Sequence, residues 1–156
     1  MMEKIAYMIH VGEINDLVEL CVETFMKNTD KEKIYFYTIR AQAPGIENLQ
    51  KYDRLEIREL DPNLWNNRMM AHKIENIRNF YRSLKEGTRV LVLDTDLIFK
   101  NNPFDMFEEG EANIYYTSRY YKYHFPINAG VWGFIKTKNT DLFLLDYIKQ
   151  INNPTW

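Results

Sequence analysis

The sequence lacks several features that would assign it to common classes of protein. It has one cysteine, Cys21, so a disulfide within the chain is excluded. Because Cys21 lies in a helical apolar pattern, we interpret it as a small buried hydrophobic residue of a protein from a reducing compartment. No apolar run is long enough to cross a bilayer, and residues 5–11 are too few for the apolar core of a signal peptide. We therefore expect a cytoplasmic protein with no transmembrane segment.

An excess of positive charge is also missing. The 20 lysines and arginines are balanced by 22 aspartates and glutamates, which gives a formal net charge of -2 at pH 7. Proteins that bind nucleic acid show a basic surplus concentrated on one face, so we expect no nucleic-acid partner. No internal repeat, low-complexity tract or linker divides the chain. With 46% hydrophobic residues, residues 1–156 are predicted to form a single domain.

Strand-like and helix-like segments alternate along the chain. The predicted strands cover residues 4–11, 33–39, 54–60, 89–93, 112–116 and 127–135, and the third of them is expected to be less central. Helices are predicted to begin at Asn15 or Asp16, after Asp61-Pro62 and near Asp141. This alternation indicates an α/β sandwich with a largely parallel sheet.

The strongest helical pattern lies before Gly87, which is expected to end the helix. Apolar residues recur at helical spacing and predict the buried face: Met70, Ile74, Ile77, Tyr81 and Leu84. Lys73 falls at the edge of this face. It either extends its stem along apolar surface or neutralises an anionic ligand, and the two readings stay open here. His72 points away and is expected to be solvated, and Arg68 falls on the opposite face.

Two carboxylates, Asp94 and Asp96, follow the apolar strand at residues 89–93. Ligands of open α/β sheets bind beyond the carboxyl ends of strands, and two unpaired carboxylates are costly to bury. A divalent cation removes their repulsion, and hard oxygen ligands favour Mg²⁺ or Mn²⁺. The alternative is that Asp94 ends the strand and Asp96 begins a solvated turn. The chain then returns to the core at Phe104 and Phe107, a scaffold that a solvated turn does not need, which favours the metal site.

Three segments, in this order, resemble the glycosyltransferases of the GT-A fold. They are the lysine-bearing helix AHKIENIRNFY, the Asp-x-Asp segment RVLVLDTDLIFKNNPFDMF, and PINAGVWGFI, which is similar to the Asn-Ala/Ser-Gly-Val strand of sugar-nucleotide transferases. The resemblance implies a GT-A-like Rossmann-type sandwich, whose mixed, mostly parallel central sheet is flanked by helices. It also implies a metal-dependent glycosyltransferase that transfers a sugar from a nucleotide-diphosphate donor, expected to be a UDP-sugar, to a carbohydrate or glycan acceptor.

The resemblance also implies roles for individual residues. Asp96 would be the principal ligand of Mn²⁺ or Mg²⁺, and Asp94 would hold the metal, the donor ribose, or both. Lys73 would approach the phosphates or sugar of the donor. The tip of the first strand would receive the nucleoside at His10, Val11 and Gly12, and the donor-sugar pocket would be lined by Asn128, Ala129 and Gly130. No catalytic base is assigned, and inversion or retention of configuration is left open.

Several alternatives stay open beside this hypothesis. Tyr120, Tyr121, Tyr123 and Phe125 could offer faces to a sugar, with Arg119 facing phosphate, or could pack in an interface or a lid. Family members usually continue well past the Asn-Ala-Gly-Val strand, often to a late histidine at the metal site. A C-terminally truncated domain, or a non-catalytic nucleotide-sugar-binding module, is therefore an alternative.

Two other enzyme classes are weighed against the transferase. A haloacid-dehalogenase-like phosphatase would use the first carboxylate, Asp94, as its nucleophile. Its motif expects Thr or Val where this chain has Ile98. A sugar-nucleotide nucleotidyltransferase would need a glycine-rich, basic loop after the first strand, where this chain has HVGEIND. We therefore expect both classes to be less suitable than the transferase.

Overall fold

A six-stranded sheet lies at the centre of the protein. The computed structural model describes residues 2–108, 112–118 and 127–152. Within them the elements are β1 Lys4–Ile9, α1 Asp16–Lys27, β2 Lys33–Thr38, β3 Leu55–Glu59, α2 Pro62–Arg82, β4 Arg89–Leu93, β5 Ile114–Ser118, β6 Ile127–Ile135 and α3 Lys138–Asn152. Short 3-10 helices cover Arg40–Gln42, Ile46–Leu49 and Pro103–Phe107.

The strands are ordered β3-β2-β1-β4-β6-β5 across the sheet. The first four run parallel, β6 is antiparallel to β4, and β5 is antiparallel to β6. The predicted mixed, mostly parallel α/β sheet is thus confirmed, with β3 at one edge. Because β6 runs against β4, the start of β6 lies beside the carboxyl end of β4. Three chain segments therefore meet at the edge of the sheet that is formed by the carboxyl ends of its parallel strands.

Each face of the sheet has its own apolar core. Alternate residues of a strand point to opposite faces, and β1 follows this rule. Ala6 and Met8 pack into the core shared with α1, whereas Ile5 and Tyr7 pack into the core shared with α2 and α3. Cys21 of α1 is fully buried in the first of these cores, as expected from its apolar pattern.

Both long N-terminal helices begin at capping residues that the sequence identified. The side chains of Asn15 and Asp61 each accept hydrogen bonds from the backbone N–H groups two and three residues later. Such caps satisfy N–H groups that have no partner within the helix. α3 begins at Lys138, three residues before the expected start at Asp141. α2 ends at Arg82, so the expectation that Gly87 ends it was wrong.

Two further errors of the sequence prediction lie just after a kink in α2. Arg68 has non-helical dihedral angles, φ -151° and ψ 53°. Met70, expected in the core, is 43% exposed and borders an open groove between α2 and the end of α3. His72, expected to be solvated, is only 7% exposed, and the ring of Trp65 from before the kink lies 6.4 Å from it. Helical spacing gives the direction of a side chain on an uninterrupted helix, so it could not predict that Trp65 would lie against His72.

Candidate functional site

The predicted site segments meet where β1 and β4 end and β6 begins. The register pairs Met8 with Leu93, and Leu93 with Val131. Asp94 follows β4 directly, and its backbone N–H donates a 2.8 Å hydrogen bond to the carbonyl oxygen of Gly130. The Asp-x-Asp segment is therefore joined to the Asn-Ala-Gly-Val strand by backbone, although the two are far apart in sequence.

Lys73 and Asp94 form an ion pair at this edge. The Lys73 ammonium nitrogen lies 3.1 Å from the Oδ1 atom of Asp94. The lysine side chain is 18% exposed and the aspartate side chain 44% exposed. Asp94 is thus partly open to water, so its carboxylate can turn to a ligand, and the mostly buried Lys73 stays beside it. The helix thus brings a cation to the carboxylates.

His10 links the tip of β1 to the Asp-x-Asp segment. Its Nε2 atom lies 2.9 Å from the carbonyl oxygen of Glu13, and its Nδ1 atom lies 2.8 Å from the hydroxyl of Thr95. A carbonyl oxygen only accepts, so Nε2 must donate. In the neutral ring Nδ1 then accepts from the Thr95 hydroxyl. Both ring nitrogens therefore have protein partners, which sequence reasoning had not foreseen. A role for His10 in receiving a nucleoside stays a prediction.

Asp96 differs from Asp94 in its surroundings. It is exposed, and among the described residues it makes no hydrogen bond or ion pair. The described part of the chain holds no group of three or more His, Cys, Asp and Glu side chains suited to a metal. Two carboxylates still fit Mg²⁺ or Mn²⁺, since these ions are commonly held by one or two carboxylates together with substrate phosphates. The donor set suits a cation that arrives with a phosphate ligand.

Cys21 lies beneath the carboxylates, a position that no sequence pattern indicated. Its Sγ atom is 3.8 Å from the carbonyl oxygen of Asp94, at the distance of a weak S–H hydrogen bond. Burial chiefly raises the pKa of Cys21 from 9.0 to about 11; a backbone hydrogen bond from Leu97 opposes the rise, and the charges of Asp96 and Asp94 add to it. A buried neutral thiol of this kind is not a nucleophile, and it packs as an apolar support.

The tip of β1 leaves room for a ligand at Gly12. This residue has a φ of +123°, a conformation that favours glycine, and no atom lies within 4 Å of where a Cβ would be. Val11 is half-buried beside it and packs against the core shared with α2 and α3. An open backbone position next to the Asp-x-Asp segment is suited to the close approach of a nucleotide.

Part of the predicted donor pocket belongs to residues whose side chains the structure does not describe. The backbone of Asn128 and Ala129 belongs to β6, but their side chains are not described. The aromatic loop also lies outside the described residues, with Arg119, Tyr120, Tyr121, Tyr123 and Phe125. The roles assigned to all of these residues stay predictions.

Comparison with solved structures relates this fold to glycosyltransferases. The glycosyltransferase GlyE of Streptococcus pneumoniae TIGR4 superposes with a TM-score of 0.63 and 16% identity, over 99% of this chain and 40% of GlyE. A glycosyltransferase involved in glycosylation of the major capsid of PBCV-1 gives 0.59 and 15%, over 99% of this chain and 69% of its own. The galactosyltransferase LgtC gives 0.57 and 10%, over 95% and 66%.

The chain therefore has a GT-A-like glycosyltransferase fold, and it spans about two-fifths of the length of GlyE. Its sequence matches no protein-family model, and no curated protein is similar enough to count as a relative. A 4-diphosphocytidyl-2C-methyl-D-erythritol synthase from Anaerococcus prevotii superposes with a TM-score of 0.61 and 12% identity, over 96% of this chain and 81% of its own. Because one fold carries several chemistries, function must be argued from the site.

Among the described helices, none has an apolar stretch long enough to cross a membrane.

The raised pKa of Cys21 predicts how stability responds to alkaline pH. The folded state favours the neutral thiol, so this stabilisation is present below about pH 9 and is lost as the pH rises towards about 11. Over that interval we expect the free energy of unfolding of the wild type to fall by about 2 kcal/mol more than that of Cys21→Ala. Urea denaturation at both ends of the interval measures the free energy of unfolding. An equal fall for the two proteins would contradict a raised pKa of Cys21.

Proposed function

We propose that this chain binds the nucleotide-sugar donor of a glycosyltransferase, at the edge where β1 and β4 end. The observation that carries the proposal is the meeting of Lys73, Asp94 and the backbone of Gly130 at that edge. A lysine can neutralise a phosphate, and a carboxylate can hold a metal ion or accept a hydrogen bond from a ribose hydroxyl. The proposed donor is a UDP-sugar, and the proposed acceptor is a carbohydrate or glycan.

The proposed cofactor is Mn²⁺ or Mg²⁺, held by Asp96 as principal ligand and by Asp94. When bound, the ion supplies stabilisation for the negative charge that develops on the leaving diphosphate. The exposure of Asp96 supports this role, because a carboxylate with no protein partner among the described residues can turn to a cation without breaking a contact. The DxD motif would then act as a metal-binding motif that is completed by the phosphates of the donor.

Lys73 has a role that does not depend on the metal. Its ammonium group is a compact charge with three donors, and it is held by α2 within reach of Asp94. When a diphosphate enters, Lys73 would donate to a phosphate oxygen, and Asp94 would be released towards the metal or the ribose. The ligand-free ion pair thus keeps the Asp94 carboxylate oriented until the donor arrives.

The loop after β1 favours a diphosphate donor over a triphosphate substrate. Between His10 and Asn15 it contains no lysine or arginine, and it contains the acidic Glu13. A nucleotidyltransferase must neutralise a triphosphate, for which this loop offers no cation.

A non-catalytic module would use the same donor site and would differ only in forming no product.

Metal-dependent binding of UDP tests the proposal. We expect isothermal titration with Mn²⁺ to give a dissociation constant in the micromolar range, and EDTA to weaken it at least about tenfold, since the ion joins two anionic groups. Asp96→Asn should cause a similar loss. Asp146→Asn is the control, because Asp146 is an exposed carboxylate on α3. Binding that ignores both EDTA and Asp96→Asn would contradict the metal site, and tighter binding of UTP than UDP would favour a nucleotidyltransferase.

The role of Lys73 is tested by Lys73→Met, which keeps the stem and removes the charge. We expect the affinity for UDP to fall about tenfold, as for one charge-assisted hydrogen bond of about 1.4 kcal/mol. Binding of uridine, which has no phosphate, should be unchanged. Lys149→Met on α3 is the control, because Lys149 is mostly exposed. An equal loss for uridine would show that the variant damages the site as a whole and would refute a phosphate contact.

A further inference from the structure

We infer that His10 and Thr95 form a positioning pair, which fixes the Asp-x-Asp segment for metal binding and leaves His10 unable to read the base. This inference rests on the proposed function and deepens it. It gives His10 a different role from that of a nucleoside contact. Thr95, the residue between the two carboxylates, becomes a functional residue of the site through its hydroxyl group.

The pair continues the pairing of β1 with β4 beyond the last paired backbone residues. Each β1 residue lies opposite the β4 residue 85 positions later, from Lys4 and Arg89 to Met8 and Leu93. Two residues further on, the same register gives His10 opposite Thr95, and the link is now made by side chains at 2.8 Å. The contact therefore follows from the strand register.

The ring of His10 is held from several sides. Its Nε2 donates to the carbonyl oxygen of Glu13, and its own backbone N–H donates to the carbonyl oxygen of Tyr37 at 3.0 Å. The ring of Phe36 lies 6.3 Å away, centroid to centroid. A ring with both nitrogens engaged and its backbone tied to β2 is a rigid support. It also has no free nitrogen to offer to a nucleobase.

Asp96 is the residue that depends on this support. Asp94 has anchors of its own, through its backbone N–H to Gly130 and through its carboxylate to Lys73. Asp96 has none among the described residues, and it directly follows Thr95, which is buried. The Thr95 hydroxyl therefore limits the positions that the Asp96 carboxylate can take. Partners that orient metal ligands typically contribute about 10- to 100-fold to metal affinity.

Paired substitutions of Thr95 provide the first test. Thr95→Val removes the hydroxyl with little change of shape, and Thr95→Ser keeps it. The measured quantity is the Mn²⁺ concentration that gives half-maximal binding of UDP, with free Mn²⁺ followed by electron paramagnetic resonance. We expect Thr95→Val to raise this concentration about tenfold and Thr95→Ser to stay near the wild type. Rescue by serine separates the hydrogen bond from mere packing.

Paired substitutions of His10 provide a second test that does not rely on Thr95→Val folding. The amide of Asn lies near the position of Nδ1 and can keep the link to Thr95, whereas the longer Gln reaches the position of Nε2 and keeps the link to Glu13. We expect His10→Gln to weaken Mn²⁺ binding like Thr95→Val, and His10→Asn to weaken it less. The preference for UDP over CDP should stay unchanged in both variants.

The outcomes separate this inference from the proposed function. If the wild type binds no UDP with Mn²⁺, both are overturned. If the wild type binds and folded Thr95→Val needs no more Mn²⁺ than Thr95→Ser, the positioning role is overturned while the donor site stands. The same holds if His10→Gln needs no more Mn²⁺ than His10→Asn. A changed preference between UDP and CDP in the His10 variants, absent from Thr95→Val, would show that His10 reads the base.

Discussion

The parallel pairing of β1 with β4 is the constraint on which the rest of the site depends. Its register brings the two carboxyl ends level, so that residues after each strand can touch. The antiparallel β6 then adds its first residues to the same edge, and the Asp94 N–H bond to Gly130 closes the junction. A shift of one residue would turn the side chains after β4 to the wrong faces, because strand side chains alternate.

The different surroundings of Asp94 and Asp96 explain how two nearby carboxylates are tolerated before any ligand binds. The Asp94 carboxylate pairs with Lys73 of α2. The Thr95 hydroxyl contacts His10. The neutral thiol of Cys21 supports the segment from the side of α1. Asp96 stays in water, where a charge needs no partner. One ion pair and exposure to water thus stabilise the two negative charges, an arrangement that a bound cation can replace.

The sequence predicted much of this arrangement, and its failures have physical causes. Helical spacing predicted Lys73 at the edge of the buried face. In the structure Lys73 lies in an uninterrupted part of α2, and its ammonium group contacts Asp94. The same reasoning was wrong for Met70 and His72, because spacing gives the direction of a side chain but not what covers it. Trp65, from before the kink at Arg68, lies against His72, whereas Met70 borders an open groove. The contact of His10 with Thr95 depends on the register of two strands 85 residues apart, which one sequence does not specify. Once the register is known, the contact can be read from it.

The most direct test of the central claim is the location of Mn²⁺ in crystals grown with UDP, by anomalous scattering at the manganese edge. The account predicts one strong peak within coordination distance of the Asp96 carboxylate, with the diphosphate completing the ligand set and the Lys73 ammonium on a phosphate oxygen. A peak elsewhere on the protein, or UDP bound away from the edge where β1 and β4 end, would contradict it.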